Sequence, residues 1–178
     1  MRKLSKHKPT EKKAPAGDFG NHYRHGSQLL HEGRHQEAIP LLEKAQQLEP
    51  THFQANLNLS GAYILSGRFK QALPILEKLS QAEPENVMVW TNLGAAYLGN
   101  PILAGDTEQQ KAITAFQTAL HLNPIAPNIA YNLGLIYRDR KESERAIYWF
   151  EQAITADPDD EDARRILARL QLSQTLDH

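Results

Sequence analysis

"EAIPLLEKAQQLEP" (residues 37–50) and "QALPILEKLSQAEP" (71–84) align without a gap at an offset of 34 residues. Ala38 falls on Ala72, Leu42 on Leu76 and Pro50 on Pro84. Further along, "KAITAFQTALHLNP" (111–124) and "RAIYWFEQAITADP" (145–158) repeat the pattern, again 34 apart. Pro84 and Pro124 are 40 apart, so six residues have been added between the two pairs. Three preceding segments locate them: "NLNLSGAY" (56–63), "WTNLGAAY" (90–97) and "AYNLGLIY" (130–137) share Asn, Leu, a small residue and Tyr in register. Tyr63 to Ala72 and Tyr137 to Ala146 are each nine residues, whereas Tyr97 to Ala112 is fifteen, which places the insertion near "GNPILAGDT". A fixed internal period of this size is the mark of a repeat architecture.

Each unit reads as two helices. The first carries Leu93, Gly94 and Tyr97 at i, i+1 and i+4, one face of a 3.6-residue period. The second carries Ala112, Phe116 and Ala119 at i, i+4 and i+7. Small residues let the two backbones approach, and large ones fill the remaining space. Gly33 and Gly67 punctuate the turn inside a unit, and Pro50, Pro84, Pro124 and Pro158 end the second helix. A lone helical hairpin cannot bury its apolar face, so the units must stack.

The pattern W-x-x-L-G-x-x-Y, then Ala, aromatic, Ala and Pro, resembles the tetratricopeptide repeat; "WTNLGAAY", Ala112, Phe116, Ala119 and Pro124 carry it in full. The resemblance implies an all-α fold, a right-handed superhelical solenoid of four hairpins at about 19–52, 53–86, 87–126 (with the insertion) and 127–160. In "EDARRILARLQL", Ala163, Ile166, Leu167 and Leu170 form one apolar stripe opposite Arg164, Arg165 and Arg169, as expected of a capping helix over 161–174. The repeat domain would thus occupy 19–174. The first unit is degenerate, with His22, His25, Gly26 and Leu29 in the Trp, Leu, Gly and Tyr columns. Polar residues in packing columns point to an end unit that faces solvent or is covered by something else.

Composition fits this fold: 178 residues, 40% hydrophobic and 23% charged. Residues 1–18 hold six bases against two acids, leaving about −5 on the rest of a chain whose net charge is −1. A mildly acidic body does not suit a dedicated nucleic-acid binder. The basic stretch, with Pro9 and Pro15 and few apolar residues, is expected to be a disordered tail. Membrane contact would come only through it. There is no cysteine, which excludes disulfides and thiolate metal sites. With no apolar run of about 20 residues and no apolar stretch behind the charged start, a cytoplasmic location is the expectation.

"HEGRH" (31–35) spells the H-E-x-x-H of zinc proteases. That chemistry needs His31, Glu32 and His35 on one continuous helix, both imidazoles pointing the same way. In the repeat register the segment aligns with "LSGRF" (65–69), the turn between two helices, with His35 in the slot of Phe69. A metal-dependent hydrolase is therefore set aside, and no enzyme activity and no cofactor are expected. A tail-driven tether to membrane or nucleic acid is the other alternative weighed.

Candidate binding residues follow from the first helices, which line the inner wall in tetratricopeptide repeat proteins. Asn58, Asn92 and Asn132 recur once per unit. A side-chain amide offers both donor and acceptor to an extended backbone, and similar superhelical proteins hold partners with such a ladder. Asparagine bonded to its own neighbours is the structural alternative. Co-chaperone relatives clamp a chain terminus with Lys and Arg, but Gln54, Met88 and Asn128 stand in the matching positions. Leu57, Ile64, Thr91, Ala95, Leu98, Tyr131, Leu135 and Arg138 complete a wall expected to be neutral and partly apolar. It suits an extended segment or an amphipathic helix of a partner protein, making the chain an adaptor, scaffold or assembly factor.

Three further expectations concern local structure. Pro40 and Pro74 should lie on the outer face of the second helices, away from Ala38 and Ala72. Thr107 with Gln110 reads as a capping box opening the helix after the insertion. The acids of "DPDDED" (157–162) should complement the start of the last helix.

Overall fold

The computed structural model describes residues 16–99, 104–126 and 128–176. Within them the chain forms nine α-helices and no strand: α1 (Ala16–His31), α2 (His35–Leu48), α3 (Phe53–Leu65), α4 (Phe69–Ala82), α5 (Val87–Leu98), α6 (Asp106–Leu122), α7 (Ile129–Asp139), α8 (Ser143–Ala156) and α9 (Glu161–Leu176). They pack as four successive hairpins, α1/α2 to α7/α8, with α9 laid against α8. The all-α solenoid expected from the repeat is the observed fold.

The hairpin turn has one backbone solution, used three times. After α1, Gly33 N–H donates to Leu30 O (3.1 Å) and Arg34 N–H to Leu29 O (2.9 Å). After α3, Gly67 bonds to Ile64 O (2.9 Å) and Arg68 to Tyr63 O (2.7 Å). After α7, Lys141 bonds to Arg138 O and Glu142 to Tyr137 O, both at 2.9 Å. This paired closure is the Schellman motif, whose pivotal residue must be left-handed. Gly33 (φ 77°) and Gly67 (φ 72°) adopt that conformation freely, while Lys141 (φ 61°) adopts it against the clash of its Cβ.

Small residues set the spacing inside each hairpin. A Cβ on Gly94 would lie 2.5 Å from Phe116 of α6, one on Gly134 would lie 3.0 Å from Phe150 of α8, and one on Gly26 would lie 2.8 Å from Leu42 of α2. Phe116, Phe150 and Leu42 are fully buried because those glycines let them in. In α3 the same column holds Ser60, also buried, its hydroxyl donating to Leu57 O at 2.7 Å.

Stacking follows a second set of columns. Ala55, Leu59 and Ala62 in α3 are buried, as are Val89, Leu93 and Ala96 in α5 and Ile129, Leu133 and Ile136 in α7. Their counterparts in α1 are Asn21, His25 and Gln28, all exposed, so α1 turns a polar face outward as the degenerate unit predicted. At the other end Ala163 is buried, Ile166, Leu167 and Leu170 pack on the core, and Arg164, Arg165 and Arg169 face solvent. Asp160 Oδ1 accepts from Ala163 N–H at 2.9 Å, and Glu161 and Asp162 follow in the first turn of α9, the dipole-complementing role expected of the acidic run.

Successive first helices touch, α1 with α3 and α3 with α5, while no comparable contact joins α2 to α4 or α4 to α6. The stack is therefore wedge-shaped, closed along α1, α3 and α5 and open between the second helices. Its core falls into two clusters, one spanning α1–α5 with Ala115 of α6 and one spanning α5–α9, with Trp90 and Tyr97 packed against both.

Several boundaries differ from the sequence expectation. Ala16–Asp18 belong to α1, with Asp18 in its first turn; residues 1–15, where the tail was expected, lie outside the described residues. α9 runs two residues further, to Leu176. α6 begins at Asp106 with Gly105 as its N-cap and no side-chain cap, which places Thr107 inside the helix and removes the capping box. Asp106 and Glu108 supply the negative charge that this helix start favours. Ile102 and Leu103 lie outside the described residues. Pro40 and Pro74 are exposed on the outer face, as expected.

Candidate functional site: the inner wall and the outer grooves

The first helices carry most of the predicted binding residues on one wall. Thr91, Asn92 and Ala95 of α5 and Tyr131, Asn132, Leu135 and Arg138 of α7 are all half-buried, as is Asn58 of α3. Leu57 and Leu98 are not available there: each is only 4% exposed and packs into the core. Packing by neighbouring helices covers these two side chains, although Thr91 and Tyr131 in the column of Leu57 and Arg138 in that of Leu98 stay half-buried.

Hydrogen bonding on the wall is partly internal. Asn58 Nδ2 donates to Ser27 Oγ (2.9 Å), and its Oδ1 accepts from Gln54 Nε2 (2.8 Å). Asn132 Nδ2 donates to Asn128 O (2.8 Å). Arg138 is held by Asp139 at 2.7 Å, and Arg165 by Asp162. Burial raises the Tyr131 hydroxyl above its usual range, and Asp162 and Asp160 push it the same way, so it remains a neutral donor and acceptor. These bonds join uncharged groups or close ion pairs, while Arg24, one repeat before Asn58 on α1, is exposed.

"HEGRH" is the end of α1, a Schellman turn and the start of α2. His31 and His35 sit on different helices, and Glu32 is exposed in the turn. Hydrogen bonds from Gln28 and Arg34 hold the Glu32 carboxyl below its ordinary range. No group of three or more His, Asp or Glu among the described residues is placed to hold a metal ion.

Two features escaped the sequence. Trp90 Nε1 donates to Pro84 O at 2.7 Å, and Asn56 Nδ2, one repeat earlier, donates to Pro50 O at 2.8 Å. Unlike side chains in one column thus satisfy the same terminal carbonyl. Tyr63 and Tyr97 likewise donate to Glu43 (2.6 Å) and Glu77 (2.9 Å), the carboxylates 20 residues upstream. Both hydroxyls are raised, first by burial and then by that bond, Tyr97 to about 12. Only the 34-residue co-recurrence of Tyr and Glu could have signalled the pairing.

The second feature is a pair of clefts on the outer side. One, of about 810 Å³, lies between α4 and α6 over Trp90 and Tyr97, with Lys111 and Arg140 on its rim. The other, of about 560 Å³, lies between α2 and α4 over Asn56, with Pro74 and Ile75. Both are where the wedge opens between second helices.

Profiles of the tetratricopeptide repeat match residues 29–99 and 110–161, together most of the chain. The chain belongs to the tetratricopeptide repeat family. Solved structures agree. A thermophilic tetratricopeptide repeat protein of Thermus thermophilus superposes with a TM-score of 0.71 at 25% identity, over 88% of this chain and 82% of that one. MamA from Desulfovibrio magneticus RS-1 gives 0.69 at 25%, over 82% and 79%. A further MamA structure gives 0.74 at 24%, over 91% and 85%, a likeness of fold alone. No sequence among the curated proteins matches. Tetratricopeptide repeats commonly serve as protein-interaction modules, and no helix among the described residues is long and apolar enough to cross a membrane.

Proposed function

We propose that the chain is a non-catalytic adaptor, scaffold or assembly factor whose inner wall holds a segment of a partner protein. The observation that carries this is the closure of the stack along the first helices, which brings α1, α3 and α5 into one surface. Thr91 and Ala95 on α5, and Tyr131 and Leu135 on α7, are half-buried and uncharged. Such a face loses little solvation on covering and gains from apolar burial, at about 25 cal/mol per Å². Asn92, Asn132 and Arg138 supply polar contacts beside it.

The test uses the full chain as bait and quantifies whichever partner it retains. Ala95→Arg places a charge in the middle of the wall and is expected to release that partner. Lys111→Glu alters the outer cleft and is expected to leave it bound. Retention by Ala95→Arg together with release by Lys111→Glu would move the binding face to the outer side.

A further inference from the structure

The last helix has the form of a first helix that lacks its second. His52, Asn86 and Asp160 cap α3, α5 and α9 in the same way, their side chains accepting from the N–H groups of Ala55, Val89 and Ala163. Those three residues are all fully buried. α9 therefore enters the stack in the register of a fifth unit. In that register Ala168 stands in the column of Gly94 and Gly134, Gln171 in that of Tyr137, and Leu172 in that of Leu98.

In the earlier units a second helix covers these columns. Phe116 of α6 fills the space beside Gly94, and Phe150 of α8 fills that beside Gly134. Tyr137 is buried, and Leu98, in the core shared with α6, is 4% exposed. On α9 no helix among the described residues plays that part: Ala168 and Gln171 are exposed, and Leu172 is 62% exposed. A small residue beside a large apolar one is what lets two helices close on each other in this fold.

Charge indicates what closes on α9. From Ala163 to Leu176 the helix holds Arg164, Arg165 and Arg169 and no acid. All three are exposed, and among the described residues only Arg165 has an ion-pair partner, Asp162. Arg164, four positions before Ala168, and Arg169, one after it, flank that residue on opposite sides at 3.6 residues per turn. A segment covering Ala168 and Leu172 meets both guanidinium groups, which are matched by carboxylates. A second copy of α9 would set arginine against arginine.

We propose that α9 docks an acidic amphipathic α-helix of a partner protein, which completes a fifth hairpin. Its aromatic or leucine side chain lies over Ala168 and Leu172, and its carboxylates meet Arg164 and Arg169. This site is the open end of the stack, separate from the inner wall.

The test titrates the full chain into dye-labelled peptides of roughly 18 residues, read by fluorescence anisotropy. All carry Ala, Phe and Ala at i, i+4 and i+7, the pattern of the chain's own second helices; one has Glu at the flanking positions and another Lys. The acidic peptide is expected to bind roughly tenfold or more tightly than the basic one. Two central prolines, which forbid a helix, are expected to abolish its binding. Ala168→Tyr takes up the space without changing charge and is expected to weaken the acidic peptide about tenfold, with an unchanged melting curve. Arg164→Glu combined with Arg169→Glu is expected to reverse the preference between the two peptides. Equal binding of both, binding of neither, or indifference to Ala168→Tyr would overturn the site on α9. Undiminished binding of the proline peptide would overturn its helical occupant. Loss in Ala95→Arg without loss in Ala168→Tyr would move the peptide to the inner wall. A chain that sediments as a dimer until Ala168→Tyr is introduced would make a second copy the occupant and overturn the partner helix.

Discussion

The second and third units share their framework residues but join the next unit differently. In the second, α3 and α4 are separated by residues 66–68, and α3 touches α5. In the third, residues 99–105 separate α5 from α6, α6 has 17 residues against 14 in α2, α4 and α8, and no comparable contact joins α5 to α7. The exits differ too: Gly67 is left-handed, whereas Gly99 lies at φ 56°, ψ −122°, a region essentially restricted to glycine. The insertion is thus divided between a longer loop and an earlier helix start. The framework columns fix the hairpin; the connection fixes how one hairpin meets the next.

The comparison is broken most severely at Gly94. Its Cβ space is filled by Phe116, so Gly94→Leu overpacks the third hairpin and is expected to cost about 3 kcal/mol or more in urea unfolding. Gly134→Leu should cost less, because the fourth hairpin leaves 3.0 Å where the third leaves 2.5 Å. An unchanged midpoint for Gly94→Leu would contradict the assigned register. Trp90→Ala comes next. Trp90 touches both core clusters and bonds to Pro84 O, so its loss is expected to cost about 2 kcal/mol, discounted for its partial exposure. It should also split a single thermal transition into two if it is what couples the halves.

Smaller effects sharpen the same contrast from the favourable side. Gly61 sits in the interior of α3 with open space around it, so Gly61→Ala is expected to stabilise by about 0.7 kcal/mol through helix propensity. The opposite sign at Gly94 is the direct control. Lys141→Gly relieves a left-handed lysine in the fourth unit's turn and is expected to gain about 0.5 kcal/mol, while Gly67→Ala in the second unit should lose about as much. Finally, Tyr97 is raised to about 12 in the folded chain against about 10 when unfolded, so its contribution is present below pH 10. It declines as pH rises toward 12, and Tyr97→Phe should flatten that part of the stability profile.

Much of the fold was legible because it rests on local chemistry repeated in register. The 34-residue period, Gly33 and Gly67 at the turns, the close helix approach at Gly94 and the apolar stripe of the last helix each follow from spacing and residue size alone. The turn through the H-E-x-x-H string was equally legible, since the neighbouring repeat places one at the same position. The binding wall was less so. Leu57 and Leu98 look like surface in the repeat register, yet packing on both sides of α3 and α5 buries them. Asn58 and Asn132 look like free amides; Gln54 and Asn128, each four residues away along the chain, engage them locally, and Ser27 meets Asn58 only once α1 sits beside α3.

By itself, then, the sequence determined the hairpins: how many among the described residues, where each turns, and which faces are apolar. Helix period, side-chain size and the left-handed turn residue act within a few residues of chain, so they can be read along it. The tertiary structure alone decided the wedge between successive units and the outer clefts it opens. Those depend on the angle between helices distant in sequence, set by the summed packing of side chains that no single stretch contains.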